Sequence, residues 1–490
     1  MKPLTIVLLR SSAASFASML SRFASSPLTD RTIIVHPGGR NEHFAGAENI
    51  STEAPFSGRT VSRILERTRT EYLLLVPVSE EVDVAPSALD RLVSVARQTG
   101  SGLTYADYYE TKSGARVPHP LNEYQAGSVR DAFEFGPLML FSMKAVRRAV
   151  ARHGSVEAVR HAALYDLRLK VSVDHALFHV QEFLCAKAST DPRKSGEKLF
   201  DYVDPRNRIV QKEMEKVATN HLKRVGAYLT PRYSKIPQDE EKYPVDASVV
   251  IPVRNRKRTI GDAVMSALSQ QADVPYNVLV VDNHSTDGTT DVLRDLATRH
   301  SAVRHLIPSR SDLGIGGCWE EAVRSPSCGR FAVQLDSDDI YSGPTTLQQI
   351  LDVFRQGDYG MVVGSYRLVN MNLEEIPPGV VDHREWTPAN GRNNALRING
   401  FGAPRAFRTS LLRKVGIPNV SYGEDYAVSL RISREYRVGR IFEPIYLCRR
   451  WEGNSDSSLT VEQTNRNDAY KDHVRTIEIL ARRRMNAGRG

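Results

Sequence analysis

From Asp246 onward, apolar and polar positions follow two alternating periods. "DASVVIPV" (246–253), "YNVLVVDN" (276–283) and "RFAVQLD" (330–336) are short apolar runs rich in β-branched residues, and each ends in polar residues. Between them, "RTIGDAVMSALSQQ" (258–271) and "TTDVLRDLATRH" (289–300) carry apolar residues at helical spacing. Strands alternating with helices at this spacing predict an α/β fold, a parallel sheet with helices on both faces. Ligands of such sheets bind beyond the carboxyl ends of the strands. The polar loops "VRN", "DNHSTDG" and "DSDD" all fall there.

The first 190 residues repeat this plan. "EYLLLVPVSEEV" (71–82) aligns with "RFAVQLDSDDI", "FEFGPLMLFSMKAVRRA" with "INGFGAPRAFRTSLLRKV", and "LYDLRLKVSVDHALFHVQEFLC" with "DYAVSLRISREYRVGRIFEPIYLC". The pairs occur in the same order, which predicts an internal duplication. The first copy lacks the acidic loops: Pro77, Val78 and Ser79 stand opposite Asp336, Ser337 and Asp338, His36 opposite Asp282, and Leu164 opposite Asp425. The expected organisation is therefore a degenerate, non-catalytic domain over 1–190, a linker with a helix ("IVQKEMEKVATNHLKRVGAYL") over 191–243, a catalytic domain over 244–455, and a C-terminal helix with a basic tail over 456–490.

Composition adds limits. At 490 residues the chain is long enough for two or three cores. No apolar run approaches the roughly 20 residues that span a bilayer. "LTIVLL" near the start is broken by Arg10, too short for the hydrophobic part of a signal peptide, and predicts a first strand. The four cysteines are scattered, without metal-finger spacing, and fit free thiols in a reducing, cytoplasmic compartment. The 66 basic and 57 acidic residues leave a formal charge of +9. That excess suits phosphorylated substrates or at most peripheral contact with an anionic membrane. Nothing resembles a nucleic-acid groove, a zinc site or a P-loop.

Crowding Asp336, Asp338 and Asp339 at one strand end is costly unless positive charge sits among them. Carboxylate oxygens suit a hard divalent cation, Mn²⁺ or Mg²⁺, whose shell a substrate phosphate completes. Asp282, at a neighbouring strand end, is placed to accept from a base N–H, and Arg254 lies by the same pocket.

In "SVVIPVRN", "VVDNHSTDGT", "LDSDD" and "YGEDYAVSLRI", taken in that order over roughly residues 244 to 455, the chain resembles the family 2 glycosyltransferases, which have the GT-A nucleotide-diphospho-sugar transferase fold, here in two tandem copies. The resemblance implies that Pro252, Val253, Arg254 and Asn255 line the nucleoside pocket, that Asp282 contacts the base, and that Asp336 lies near the ribose. It implies that Asp338 ligates the metal, that Asp425 is the general base of an inverting transfer, and that Glu424 lies near the acceptor. The implied partners are a nucleotide-sugar donor, with UDP favoured over GDP, and a saccharide or glycoconjugate acceptor. The duplicated domain can serve self-association.

Two departures stand out. "SDLGIGGCWEEAV" keeps Gly314 and Gly317 but places Cys318 and Trp319 where the family often has Arg-Asn. "CRRWEGNSDSS" lacks a His that often reaches the metal or diphosphate, leaving Glu452, Asn454 or water as the third ligand. Trp451 is either a sugar-stacking platform or a core residue. Trp386, in "VVDHREWTPANGRNN", lies in a stretch that reads as a mobile loop, a lid or acceptor loop, or equally as ordinary surface. Gly314, Gly316 and Gly317 read equally well as a plain turn. The rival functions are a sugar nucleotidyltransferase, which the missing glycines after the first strand disfavour, and a non-catalytic carbohydrate-binding or scaffold protein.

Overall fold

The computed structural model describes residues 2–10, 16–37, 44, 46–188, 207–454 and 459–488. The chain divides into two units: 1–196 with 207–228 and 460–490, and 197–206 with 229–459.

The first unit holds nine strands: β1 (Leu4–Leu9), β2 (Thr29–His36), β3 (Glu48–Ser51), β4 (Tyr72–Val76), β5 (Val82–Val84), β6 (Leu103–Lys112), β7 (Ala115–His119), β8 (Met139–Ser142) and β9 (Leu177–Ala188). Their order is β3-β2-β1-β4-β8-β6-β9-β5, with β7 paired to β6. The second unit holds β10 (Ala247–Val253), β11 (Tyr276–Asp282), β12 (Val303–Leu306), β13 (Phe331–Gln334), β14 (Ile340–Tyr341), β15 (Tyr359–Val369), β16 (Glu375–Val381), β17 (Arg405–Arg408) and β18 (Arg437–Arg449). Its order, β12-β11-β10-β13-β17-β15-β18-β14 with β16 on β15, repeats the first strand for strand. Both units have a tandem GT-A-like α/β architecture. "LTIVLL" is indeed the first strand.

The sheets are mixed, not parallel throughout. β10, β11, β12 and β13 run parallel, but β17 is antiparallel to both β13 and β15. The connection after β15 reverses the chain at the β16 hairpin, and β17 then pairs with β15 in the same antiparallel sense as β16. The core of the second unit packs the helices Ile260–Leu268 and Thr346–Gln356 on the sheet through fully buried Ile260, Val264, Leu347 and Ile350.

Details recur between the units as well as topology. Gly58 N donates to Val159 O (2.8 Å), and Gly316 N to Val420 O (2.9 Å). A Cβ on Gly58 would stand 2.1 Å from Glu157 O, and one on Gly316 2.0 Å from Pro418 O. Tyr165 and Tyr426, both buried, donate their hydroxyls to Val129 O and Ala395 O. Each acceptor stands ten residues before the start of the antiparallel central strand, β8 or β17.

The helix expected in the linker forms at Arg208–Arg224 and belongs to the first unit; residues 191–206 lie outside the described residues. The C-terminal helix, Val461–Ala487, also belongs to the first unit. Its buried Asp472 accepts from Ser128 Oγ (2.9 Å) and pairs with Arg130 (3.2 Å) and Arg475 (2.8 Å). Of the basic run near its end, Arg482 is fully buried and bonded to Glu478 (2.7 Å). No helix among the described residues is long and apolar enough to cross a membrane.

Candidate functional site

The carboxyl ends of β10 and β11 are tied together by their loops. Asn255, held at φ 54°, accepts from Thr286 N through Oδ1 (2.8 Å) and donates its own N–H to Ser285 Oγ (2.9 Å). Asp287 Oδ2 accepts from Lys257 N (3.0 Å), and Thr289 Oγ1 from Arg256 N (2.8 Å). Pro252 is half-buried, Val253 buried and Arg254 exposed. The Arg-Asn turn is thus a rigid wall whose free side chain is Arg254.

Asp282 is fully enclosed. Its Oδ1 accepts from Ser285 N (3.0 Å), and its Oδ2 from Thr290 Oγ1 (2.6 Å), with His305 Nε2 at 3.3 Å. Burial pushes the carboxyl up, but these hydrogen bonds outweigh it and hold the group below the usual aspartate range. His305 escaped the sequence reading because nothing in "VRHL" marks it as facing a carboxylate.

The turn after β13 carries the acidic cluster. Both carboxylate oxygens of Asp336 accept from Gln334 Nε2, at 2.9 and 3.0 Å, and its N–H donates to Tyr446 Oη (3.0 Å). Asp339 is buried and accepts from Arg449 N (2.7 Å). Arg449 also donates Nε to Asp338 O and Nη1 to Asp262 (2.8 Å). Burial, then the charges of Asp338 and Asp336, push Asp339 well above the ordinary carboxylate range. Burial raises Asp336 too, against the opposing pull of Arg405 and Gln334.

Asp338 faces nitrogen donors on one oxygen only. Its Oδ2 accepts from Trp451 Nε1 (3.3 Å) and Asn454 Nδ2 (3.1 Å), with Arg256 Nε at 3.8 Å. Its Oδ1 bears no hydrogen bond among the described residues. One free carboxylate oxygen fits a hard divalent ion that takes its remaining ligands from phosphate and water. Asn454 Oδ1 is committed to Trp451 N (2.7 Å), and Glu452 lies at Arg258 (3.4 Å). Trp451 lies under Arg256 and Arg258, whose guanidinium carbons are 5.9 and 5.3 Å from its ring.

The glycines Gly314, Gly316 and Gly317 do more than turn the chain. A Cβ at any of them would meet the segment 418–421 at 2.6 Å or less: Val420 C, Pro418 O and Asn419 Oδ1 respectively. The helix Ile315–Arg324 therefore lies directly against the strand of chain that feeds "GED". Gly423, at φ 79°, then opens the helix Glu424–Glu435. Glu424 Oε2 is buried with no hydrogen-bond partner among the described residues. Burial, and after it the Asp425 charge, push that carboxyl up to about 8. Asp425 Oδ2 pairs with Arg405 Nη1 at 2.9 Å.

Arg405 is the residue the sequence reading missed. Among three carboxylates its guanidinium rises above the usual arginine range: burial pulls it down, but Asp425, Asp336 and Glu424 outweigh that. Positive charge among the acidic residues thus comes from the protein itself, through Arg405 and Arg449. Trp386 corrects another expectation. It is 8% exposed, packs on Phe401 (5.3 Å between rings) and touches Gly391, so it is a packed residue and not ordinary surface. The turn Gly391–Asn394 beside it is pinned by Arg392, bonded to Thr230 O, Arg232 O and Arg434 O, and by Asn393, bonded to Leu229.

Comparison with known proteins follows this geometry. The family described as Glycosyl transferase family 2 matches residues 248–416. The poly(ribitol-phosphate) beta-glucosyltransferase of Bacillus spizizenii is 23% identical over 238 residues, 47% of this chain and 36% of that protein. Chondroitin synthase of Escherichia coli is 36% identical over 110 residues, 22% of this chain and 15% of that one. The chain thus spans little more than a third of these relatives at most. Among solved structures, S. aureus TarS in complex with UDP-GlcNAc is 19% identical with a TM-score of 0.37, covering 48% of this chain and 72% of that one. A mannosyltransferase from Pyrobaculum calidifontis, in complex with GDP-Man and Mn2+, is 18% identical with a TM-score of 0.35, covering 60% and 88%.

Proposed function

We propose, from the match of residues 248–416 to glycosyl transferase family 2, that the chain is an inverting glycosyltransferase. It moves a sugar from a nucleotide-diphosphate donor, a UDP-sugar in preference to a GDP-sugar, to a hydroxyl of a saccharide or glycoconjugate acceptor. The observation that carries this reading is the grouping of Asp336, Glu424 and Asp425 around Arg405 at the mouth of β13 and β17, one residue beyond Ser337 from Asp338. The names of two curated relatives, a poly(ribitol-phosphate) beta-glucosyltransferase and a chondroitin synthase, support a saccharide or glycoconjugate acceptor.

Pro252, Val253, Arg254, Asn255 and Gly314 bound the nucleoside side, and Asp282 stiffens its floor. Asp338 would hold the divalent ion, Mn²⁺ or Mg²⁺, through its open Oδ1. Bound there, such an ion supplies Lewis-acid stabilisation of the departing diphosphate. Asp425 removes the acceptor proton as that oxygen bonds to the sugar C1. The bond from C1 to the donor phosphate oxygen breaks on the opposite face, so the anomeric configuration inverts. Proton removal of this kind typically contributes about 10²–10⁴-fold. Glu424, its carboxyl raised by burial, lies beside the base near the acceptor and does not compete for the proton. The first unit, with Leu164 opposite Asp425, is a non-catalytic copy.

The test is calorimetric titration of UDP and of GDP, with and without Mn²⁺, into wild type and Asp338→Ala. Metal-dependent binding of one nucleotide, abolished by the substitution, is the expected result. Failure of both nucleotides to bind wild type with any metal would reject the reading in favour of a scaffold.

A further inference from the structure

Between β13 and β17, compared with their counterparts β4 and β8, one cross-strand pair exchanges two apolar side chains for two polar ones. In the first unit Leu75 on β4 pairs with Met139 on β8. In the second, the register that pairs Val333 with Ala406 brings Gln334 opposite Arg405. Both polar side chains are spent on the site. Gln334 Oε1 accepts from Arg405 N (3.1 Å), while its Nε2 holds both oxygens of Asp336. Arg405 Nη1 reaches Gly402 O (2.6 Å) and Asp425 Oδ2 (2.9 Å).

A chain of contacts therefore runs from Asp336 through Gln334 and Arg405 to Asp425. Burying a glutamine and an arginine where the duplicate has leucine and methionine costs stability unless each polar atom is used. Here Gln334 Oε1 and Nε2 and Arg405 Nη1 are used on a carboxylate of the site or on its frame. Resting on the general-base reading, we propose that Arg405 is a positioning residue for Asp425, and that Gln334 is the strut that fixes Arg405 relative to Asp336. Arg405 holds Asp425 by Oδ2 through Nη1. It also stabilises the ionised base. The groups that set the charge around Asp425 are Arg405 from β17, Glu424 on its own helix, and Asp336 after β13. Tyr446 on β18 lies against Arg405. Arg405 is the cation among them.

The test uses the full chain with Arg405→Met and the double variant Gln334→Leu/Arg405→Met, which reproduce the pair that the first unit accommodates. Aspartate is labelled with ¹³C at Cγ, and the Asp425 resonance is identified by its absence from Asp425→Asn. Removing the cation should raise the Asp425 titration midpoint by about one unit or more. Turnover, read as nucleotide release from UDP-glucose, UDP-GlcNAc and GDP-mannose, should fall about 100-fold, with nucleotide affinity within about threefold of wild type. Arg405→Lys, which keeps charge without the fork, should hold the midpoint near wild type while turnover still falls. It also serves if the methionine variants do not fold. An unmoved midpoint in Arg405→Met, or wild-type turnover in Arg405→Lys, overturns the proposal. Asp425→Asn with wild-type turnover would remove the base itself, and the role of Arg405 with it. An inactive Asp425→Asn beside a fully active Arg405→Met would overturn the positioning role alone.

Discussion

The two units share nine strands in one order, yet it is the second that gathers Asp336, Glu424 and Asp425 around an arginine at its strand ends. The same glycine-to-carbonyl contact brings a helix against the chain that precedes Leu164 in the first unit and Asp425 in the second. Three residues beyond that glycine stands Val61 in one and Trp319 in the other. Trp319 is buried with its ring edge-on to Phe407 (6.2 Å). In the first unit an apolar cavity of about 20 Å³ remains, lined by Val61, Phe141, Leu75 and Leu164 among others. The polar pair Gln334 and Arg405 answers to the apolar pair Leu75 and Met139. A fold can therefore keep its sheet, its close helix contact and its buried tyrosine while the side chains at the strand ends exchange function for packing. The lesson is that topology survives on the apolar register, and the chemistry hangs on few positions outside it.

That comparison can be broken most directly at the base. Asp425→Asn should lower turnover about 10²–10⁴-fold with nucleotide binding retained, whereas Leu164→Asn should leave turnover per folded molecule unchanged. A loss at Leu164 would restore catalytic standing to the first unit. Next in size, Trp319→Ala should cost about 3–5 kcal/mol in denaturant unfolding, because it opens a cavity in a filled site. The glycine contact offers a paired test: Gly58→Ala and Gly316→Ala should each destabilise by about 1–3 kcal/mol. Only the second should also depress turnover, since Pro418 leads into Glu424 and Asp425.

Glu424 supplies the pH test. Its folded-state carboxyl is raised from 4.5 to about 8, so above 4.5 the unfolded chain releases a proton that the native state keeps. Stability drains away as pH rises through that window, and the full penalty is reached above about 8. Glu424→Gln should therefore gain Tm relative to wild type progressively across the window and level off beyond it. Thermal melts from pH 5 to 9 showing a constant difference would refute the buried neutral acid. The smallest effect belongs to the first unit. Val61→Leu should stabilise by about 0.5–1 kcal/mol by filling the cavity, and a loss in stability would show the site has no room.

The apolar runs determined much of this protein. "DASVVIPV", "YNVLVVDN" and "RFAVQLD" had to become strands, because β-branched residues at that spacing can bury themselves only in a sheet, and the duplication was legible in the order of three matched segments. Asp282, Asp336, Asp338 and Asp425 were legible as candidate chemistry because each ends or follows such a run. Direction was not: β17 runs antiparallel to both β13 and β15, a fact no local pattern carries. Nor were Arg405, Gln334 and His305, which lie inside ordinary-looking strands. They acquire meaning only from what stands across the sheet from them. Trp386 misled for the same reason, since a polar neighbourhood in sequence became a packed one in space. Sequence determines what a segment can bury; which charges must then share that burial is decided only when distant segments meet, because electrostatic pairing depends on distance in space and not along the chain.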